Sequence, residues 1–169
     1  MIKKKLNFFI ENNTLIYLIL TLINFWGYLI IGNLKVIEAF LLSFLTWNVG
    51  VRGLIACLAN FIPKVSDKIA EAYNWPKGTS FQREIASAEG AFGLLGALCI
   101  FFREGFWTAT IIGVCFCYFV SELGGLITIY KKSKDSKYRW KSKLHFGMLI
   151  DFVLSILLFI CFLFWINSR

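Results

Sequence analysis

Five apolar runs, at about 14–32, 35–62, 81–102, 106–130 and 144–166, take up most of this 169-residue chain. Crossing the hydrocarbon core of a bilayer takes about 20 apolar residues in a helix, and each run is of that order. In lipid the backbone has no water to bond with, so a lone spanning segment must satisfy its own N–H and C=O groups as a helix. The expected fold is therefore all-α: an integral membrane bundle of five transmembrane helices, forming one domain over residues 1–169. Composition agrees, with 58 % apolar residues, 18 % aromatic residues and a mean hydropathy of +0.68. Such values belong to membrane chains and not to soluble ones.

The net charge of +8 could point to nucleic acid. Its placement argues against that partner. Lys3, Lys4 and Lys5 precede the first run, and Lys64, Lys68, Lys77 and Arg83 lie between the second and third. Lys131, Lys132, Lys134, Lys137, Arg139, Lys141 and Lys143 lie between the fourth and fifth. The alternate connections hold only Lys35, Arg103 and Arg169. Positive charge collects on the cytoplasmic side, so the N-terminus is expected inside and the C-terminus outside. The 131–143 stretch reads as a solvated linker that can also attract anionic lipid. Lysines before an apolar run also suit a signal peptide. Phe25-Trp26 within the run, and no small-x-small cleavage site, favour a retained first helix. Cys57, Cys99, Cys115, Cys117 and Cys161 all lie in apolar runs without a CxxC, as packing residues do.

The third run carries the most information. Thr79 and Gln82 have capping-box spacing after Pro76 and Gly78, which predicts a helix start. Ala86, Glu89, Gly90, Gly93 and Ala97 share one face. Small residues line the faces on which membrane helices meet, so Glu89 is expected to point into the bundle. An acid there either locks two helices by pairing with an arginine or forms part of a site.

Other runs carry similar residues. In the second, Asn48, Arg52, Ala56 and Asn60 recur at i+4. Arg52 lies ten residues from Ile62, roughly 15 Å deep at a helical rise of about 1.5 Å per residue. Glu89 lies roughly 13 Å from the same side, Glu122 in the fourth run roughly 12 Å and Asp151 in the fifth roughly 10 Å. Each charge costs about 2.5–3.5 kcal/mol at a helix centre, whereas an interhelical hydrogen bond returns about 0.6 kcal/mol. Packing alone is thus a poor reason to keep four. Arg52, Glu89, Glu122 and Asp151, with Asn48, are the candidate ligand- or proton-binding residues. Glu84, near the inner boundary and about 140° round the helix from Glu89, is a secondary candidate. So is His145, which is as readily a hydrogen-bonded structural residue. The first run has no ionisable residue inside it and reads as a packing helix. Between the second and third runs, Val65, Ile69, Ala72 and Tyr73 suggest a short amphipathic helix lying on the inner interface.

One arginine neutralises one acid, and the two acids left over take up protons, hold a cation or face a cationic ligand. No nucleophile elbow, phosphate loop or HExxH is present, and a single histidine cannot complete a di-metal carboxylate site. No metal or cofactor is expected, and the balance is against an enzyme. The favoured reading is a protein that binds or moves a small solute, alone or with protons. The alternatives are an accessory subunit of a membrane complex, whose acids act as helix glue, and a membrane enzyme acting on a lipid or isoprenoid by carboxylate acid–base chemistry. The expected partners are the lipid bilayer, a small molecule or proton, and a second copy or another membrane protein; nucleic acid is excluded.

Trp75-Pro76, Ser80-Phe81-Gln82, Glu84, Ala88, Gly90, Gly93 and Gly96 form a pattern with Phe106-Trp107-Thr108-Ala109, Gly113 and a last helix centred on Asp151. It resembles a family of small bacterial inner-membrane proteins classed as a domain of unknown function, loosely similar to the DoxX-like membrane proteins. The resemblance spans the second to fifth helices. Members have a histidine late in the fourth helix and an asparagine-rich entry to the fifth. This chain has Gly124-Gly125-Leu126-Ile127 and Leu144-His145-Phe146-Gly147 there. The resemblance implies a fold and a bacterial inner-membrane location, and no activity.

Overall fold

The structure, a computed structural model, describes residues 2–73, 76–133 and 142–168, with side chains over 12–71, 76–127, 130 and 146–168. All of its regular elements are helical: α1 (Ile2–Ile30), α2 (Val36–Phe44), a π-helical stretch (Leu45–Val51), α3 (Arg52–Phe61), α4 (Pro63–Tyr73), α5 (Ser80–Leu98), α6 (Gly105–Ser133) and α7 (Ser142–Asn167). Four stretches are long and apolar enough to cross a membrane: Asn12–Ile30, Val36–Phe61, Gly105–Ile127 and Phe146–Asn167. The third apolar run, now α5, does not reach that measure. Gln82, Arg83, Glu84, Ser87 and Glu89 fall within its first ten residues. Large apolar side chains face outward, such as Phe116 at 72 % exposed and Phe164 at 63 %. In water so much exposed apolar surface would be a liability; against lipid it is what a spanning helix presents.

Several boundaries differ from expectation. α1 starts at Ile2 and not near residue 14, and α6 runs on to Ser133. The amphipathic segment after Pro63 is a helix, α4. α5 stops at Leu98 and not at residue 102. Residues 99–102 make turns there, with the Phe101 and Phe102 N–H groups both donating to the Leu98 carbonyl. The freed Cys99 carbonyl accepts from Trp107 Nε1 at 2.8 Å, a side-chain substitute for the next helical turn. Thr79 takes the expected N-cap place without a side-chain capping bond, its hydroxyl donating back to the Pro76 carbonyl at 3.4 Å. Gln82 Oε1 instead accepts from the Gly78 N–H at 2.6 Å, one residue earlier than a capping box requires.

The chain divides into two compact units, Tyr17–Thr110 and Met1–Ile16 with Ile111–Arg169. In the first unit, α2, the π-helical stretch and α3 form one continuous helix. Ala39, Leu41, Leu42, Phe44, Leu45 and Val49 are buried along it. The Thr46 hydroxyl donates back to the Leu42 carbonyl at 2.8 Å, competing with the helical ladder where the π-helical turn begins. α5 lies directly on this helix. A Cβ at Gly93 would sit 2.5 Å from Leu54 N, and one at Gly96 would sit 2.6 Å from both Gly50 N and Leu45 O. The two backbones touch, which only glycine permits.

In the second unit α6 and α7 run antiparallel. The Phe119 and Phe152 rings stack at 5.3 Å, Cys115 Sγ donates to the Ser155 carbonyl at 3.5 Å, and Met148 lies against Gly125. Ile111, Val114, Leu154, Leu158, Phe162 and Trp165 are buried here. The N-terminal part of α1 joins this unit, with Thr14 against Gly147.

Candidate functional site

The first unit gathers the polar residues of the second and third apolar runs. Asn60, the next-to-last residue of α3, is 9 % exposed. Its Nδ2 donates to the Ala56 carbonyl at 3.0 Å and to Glu89 Oε2 at 3.3 Å. Glu89 is half-buried on α5, where its own carbonyl passes close to Gly53. The charge of half-buried Arg52 acts on Glu89 and also on the Tyr17 phenol. The glycine contacts explain the arrangement. Because Gly50 and Gly53 admit α5 to backbone distance, short side chains on either helix reach across.

Asn48, 1 % exposed, is turned the other way. Its Nδ2 donates to Thr21 Oγ1 at 2.6 Å and to the Tyr17 carbonyl at 3.4 Å, tying the π-helical stretch to α1. Its place is an interhelical clamp. Glu84 is exposed on α5, at a distance round the helix from Glu89.

The remaining two acids belong to the second unit. Asp151 is 7 % exposed and accepts from the Thr14 hydroxyl at 3.0 Å. Glu122 is half-buried with a buried Oε2. The α6–α7 contacts set their register. Residue 119 meets 152 and residue 125 meets 148, so 122 and 151 fall at one level. The four expected charges thus form two groups, Arg52 with Glu89 and Glu122 with Asp151, one in each unit. His145 falls within the helical part of α7, and its side chain lies outside the described residues. Among the described residues no three His, Cys, Asp or Glu side chains come together as a metal site would need.

Three contributors escaped the reading of the sequence. α1 looked like a packing helix, yet Thr14, Tyr17 and Thr21 each supply a group to a polar contact. Their spacing of three and four residues marks a face, but none carries a charge at neutral pH, so a search for charged residues does not single them out. Gly50 and Gly53 are the partners of the α5 glycines. Gln82, expected as a cap, also donates through Nε2 to Ser66 O at 3.0 Å and Ser66 Oγ at 2.7 Å. It pins α4 to the start of α5 while buried. Replacing Gln82 with alanine should therefore cost about 1–3 kcal/mol by leaving buried groups without partners. Alanine at exposed Glu84 should change stability by less than about 0.5 kcal/mol. Thermal denaturation of the two variants in one detergent checks the difference.

The long apolar helices make this chain a multi-pass membrane protein. No curated protein and no solved structure matches it. A likeness to DoxX-like proteins is not part of what the comparison with protein families finds. Residues 11–164, most of the chain, match the family described as a family of unknown function (DUF6790), and the chain belongs to that family.

Proposed function

We propose that this protein binds or moves a small solute, with proton coupling, at its buried ionisable residues. We place it in a bacterial inner membrane, with α5 as a fifth span beside the four apolar ones, the N-terminus inside and the C-terminus outside. The Lys and Arg distribution supports the orientation. The observation that carries the functional reading is Asp151. A carboxylate 7 % exposed, within a span of mean hydropathy 2.8, sits at the level of a second acid. Acids at that depth are costly and mark ion, proton or substrate pathways. Arg52 and Glu89 in the other unit support the same reading independently.

Mass spectrometry of small molecules that copurify in mild detergent tests it. The wild type should retain a species that the Glu122→Gln/Asp151→Asn variant loses. Identical spectra from two equally stable proteins would sink the proposal. They would favour an accessory subunit whose acids hold helices together. One observation favours that second reading: Asp151 and Glu89 both bond to neutral side chains on neighbouring helices, Thr14 and Asn60.

A further inference from the structure

Asn60 has one feature that the hydrogen bonds above do not use. Its amide hydrogens are both committed, one to the Ala56 carbonyl and one to Glu89 Oε2. Those two acceptors require the nitrogen on that side. The oxygen that remains, Oδ1, is buried and receives no hydrogen bond. A buried acceptor without a donor leaves its desolvation uncompensated. Glu89 lies alongside, and an ionised carboxylate has no hydrogen to offer.

A protonated carboxyl does. We propose that Asn60 and Glu89 form a proton-binding pair, in which protonated Glu89 closes an acid–amide ring with Asn60. In that ring the carboxyl C=O keeps the bond from Nδ2, and the new O–H donates to Oδ1. The second amide hydrogen stays on Ala56. One proton enters, no other bond breaks, and every polar atom of the pair is used. The proposal rests on the reading of Glu89 as a site residue, and it identifies the ligand taken there as the proton.

The surroundings bear on the titration. α3 contributes Arg52, whose charge acts on Glu89, and Cys57, which packs on Gly90. The π-helical stretch carries no titratable residue. α4 carries Lys64, Asp67, Lys68 and Glu71 and meets α5 through Ser66. Arg83 and Glu84 are on α5 itself, Tyr17 of α1 lies near Arg52, and Arg103 is held over the Trp107 ring. Of these groups, Arg52 is the one whose charge acts on Glu89.

Infrared difference spectroscopy of the full chain in lipid tests the pair. On acidification from about pH 9 to about pH 5, the wild type should gain a carboxyl C=O band. That band should vanish in Glu89→Gln and move to higher frequency in Asn60→Leu, where the carboxyl loses its amide partner. Glu89→Gln should also fold as well as the wild type, because a glutamine amide closes the same ring. Bands from Glu122 and Asp151 are common to wild type and Glu89→Gln, so a wild-type-minus-Glu89→Gln difference without a carboxyl C=O band, or an Asn60→Leu band at unchanged frequency, overturns the proposal. So does failure of Glu89→Gln to fold, which covers the case in which Asn60→Leu yields no protein. The copurification experiment reads Glu122 and Asp151, so either idea can fail while the other stands.

Discussion

Leucine at Gly93 or Gly96 is expected to abolish recovery of folded protein, the largest effect foreseen for any single change. A bare Cβ at Gly93 would already lie 2.5 Å from Leu54 N and 2.8 Å from the Gly53 carbonyl carbon. These are backbone atoms of another helix and cannot turn aside. The helices must separate, and the contacts between α3 and α5 go with them. Overpacking by even one carbon costs about 1–3 kcal/mol, so alanine should already lower stability clearly. A leucine adds three further carbons in a place with no room. Size-exclusion profiles in detergent provide the check. Alanine at Gly27 or Gly124, where the added carbon meets open space, should leave the profile intact. It should even add up to about 1 kcal/mol through helix propensity. A monodisperse Gly93→Leu protein with wild-type stability would refute the backbone crossing, and the approach of Asn60 to Glu89 with it.

The second large effect is expected at Trp107. It is fully buried, its Nε1 donates to the Cys99 carbonyl at 2.8 Å, and the Arg103 guanidinium stands over its ring at 4.9 Å. Replacing it with alanine removes the ring, at about 3–5 kcal/mol, and orphans a buried carbonyl at the end of α5. Phenylalanine keeps part of the packing and loses only the hydrogen bond, so it should cost less. Arg103→Ala should cost least, about 0.5–1 kcal/mol, as expected for an exposed cation over an aromatic ring. Thermal denaturation should order the variants Trp107→Ala, then Trp107→Phe, then Arg103→Ala. Any other order would show that the turn after α5 is held by something other than the indole.

Much of this was legible in the chain itself. The small-residue face of the third run is expected to meet another helix, and its Ala86 and Gly93 are buried as that requires, while Gly96, outside the expected face, is buried as well. The i+4 stripe from Asn48 to Asn60 predicts one shared face, whereas Asn48 bonds to α1 and Asn60 to α5. A π-helical turn lies between Asn48 and Arg52, and it changes the rotation per residue midway. Asn48 therefore serves α1 while Asn60 serves α5. No periodicity argument that assumes one helical pitch could separate them.

The sequence by itself determined that this chain is helical and of the membrane. Long apolar runs in lipid have few other solutions, and the positions of charged residues within such runs are read directly. Only the tertiary structure decided which groups meet. Asn60 reaches Glu89 because two pairs of glycines bring two backbones into contact, and Thr14 reaches Asp151 because α1 contributes to both units. Those meetings depend on register and on approach distance between segments far apart in the chain, and neither quantity is encoded in the local pattern of any one helix.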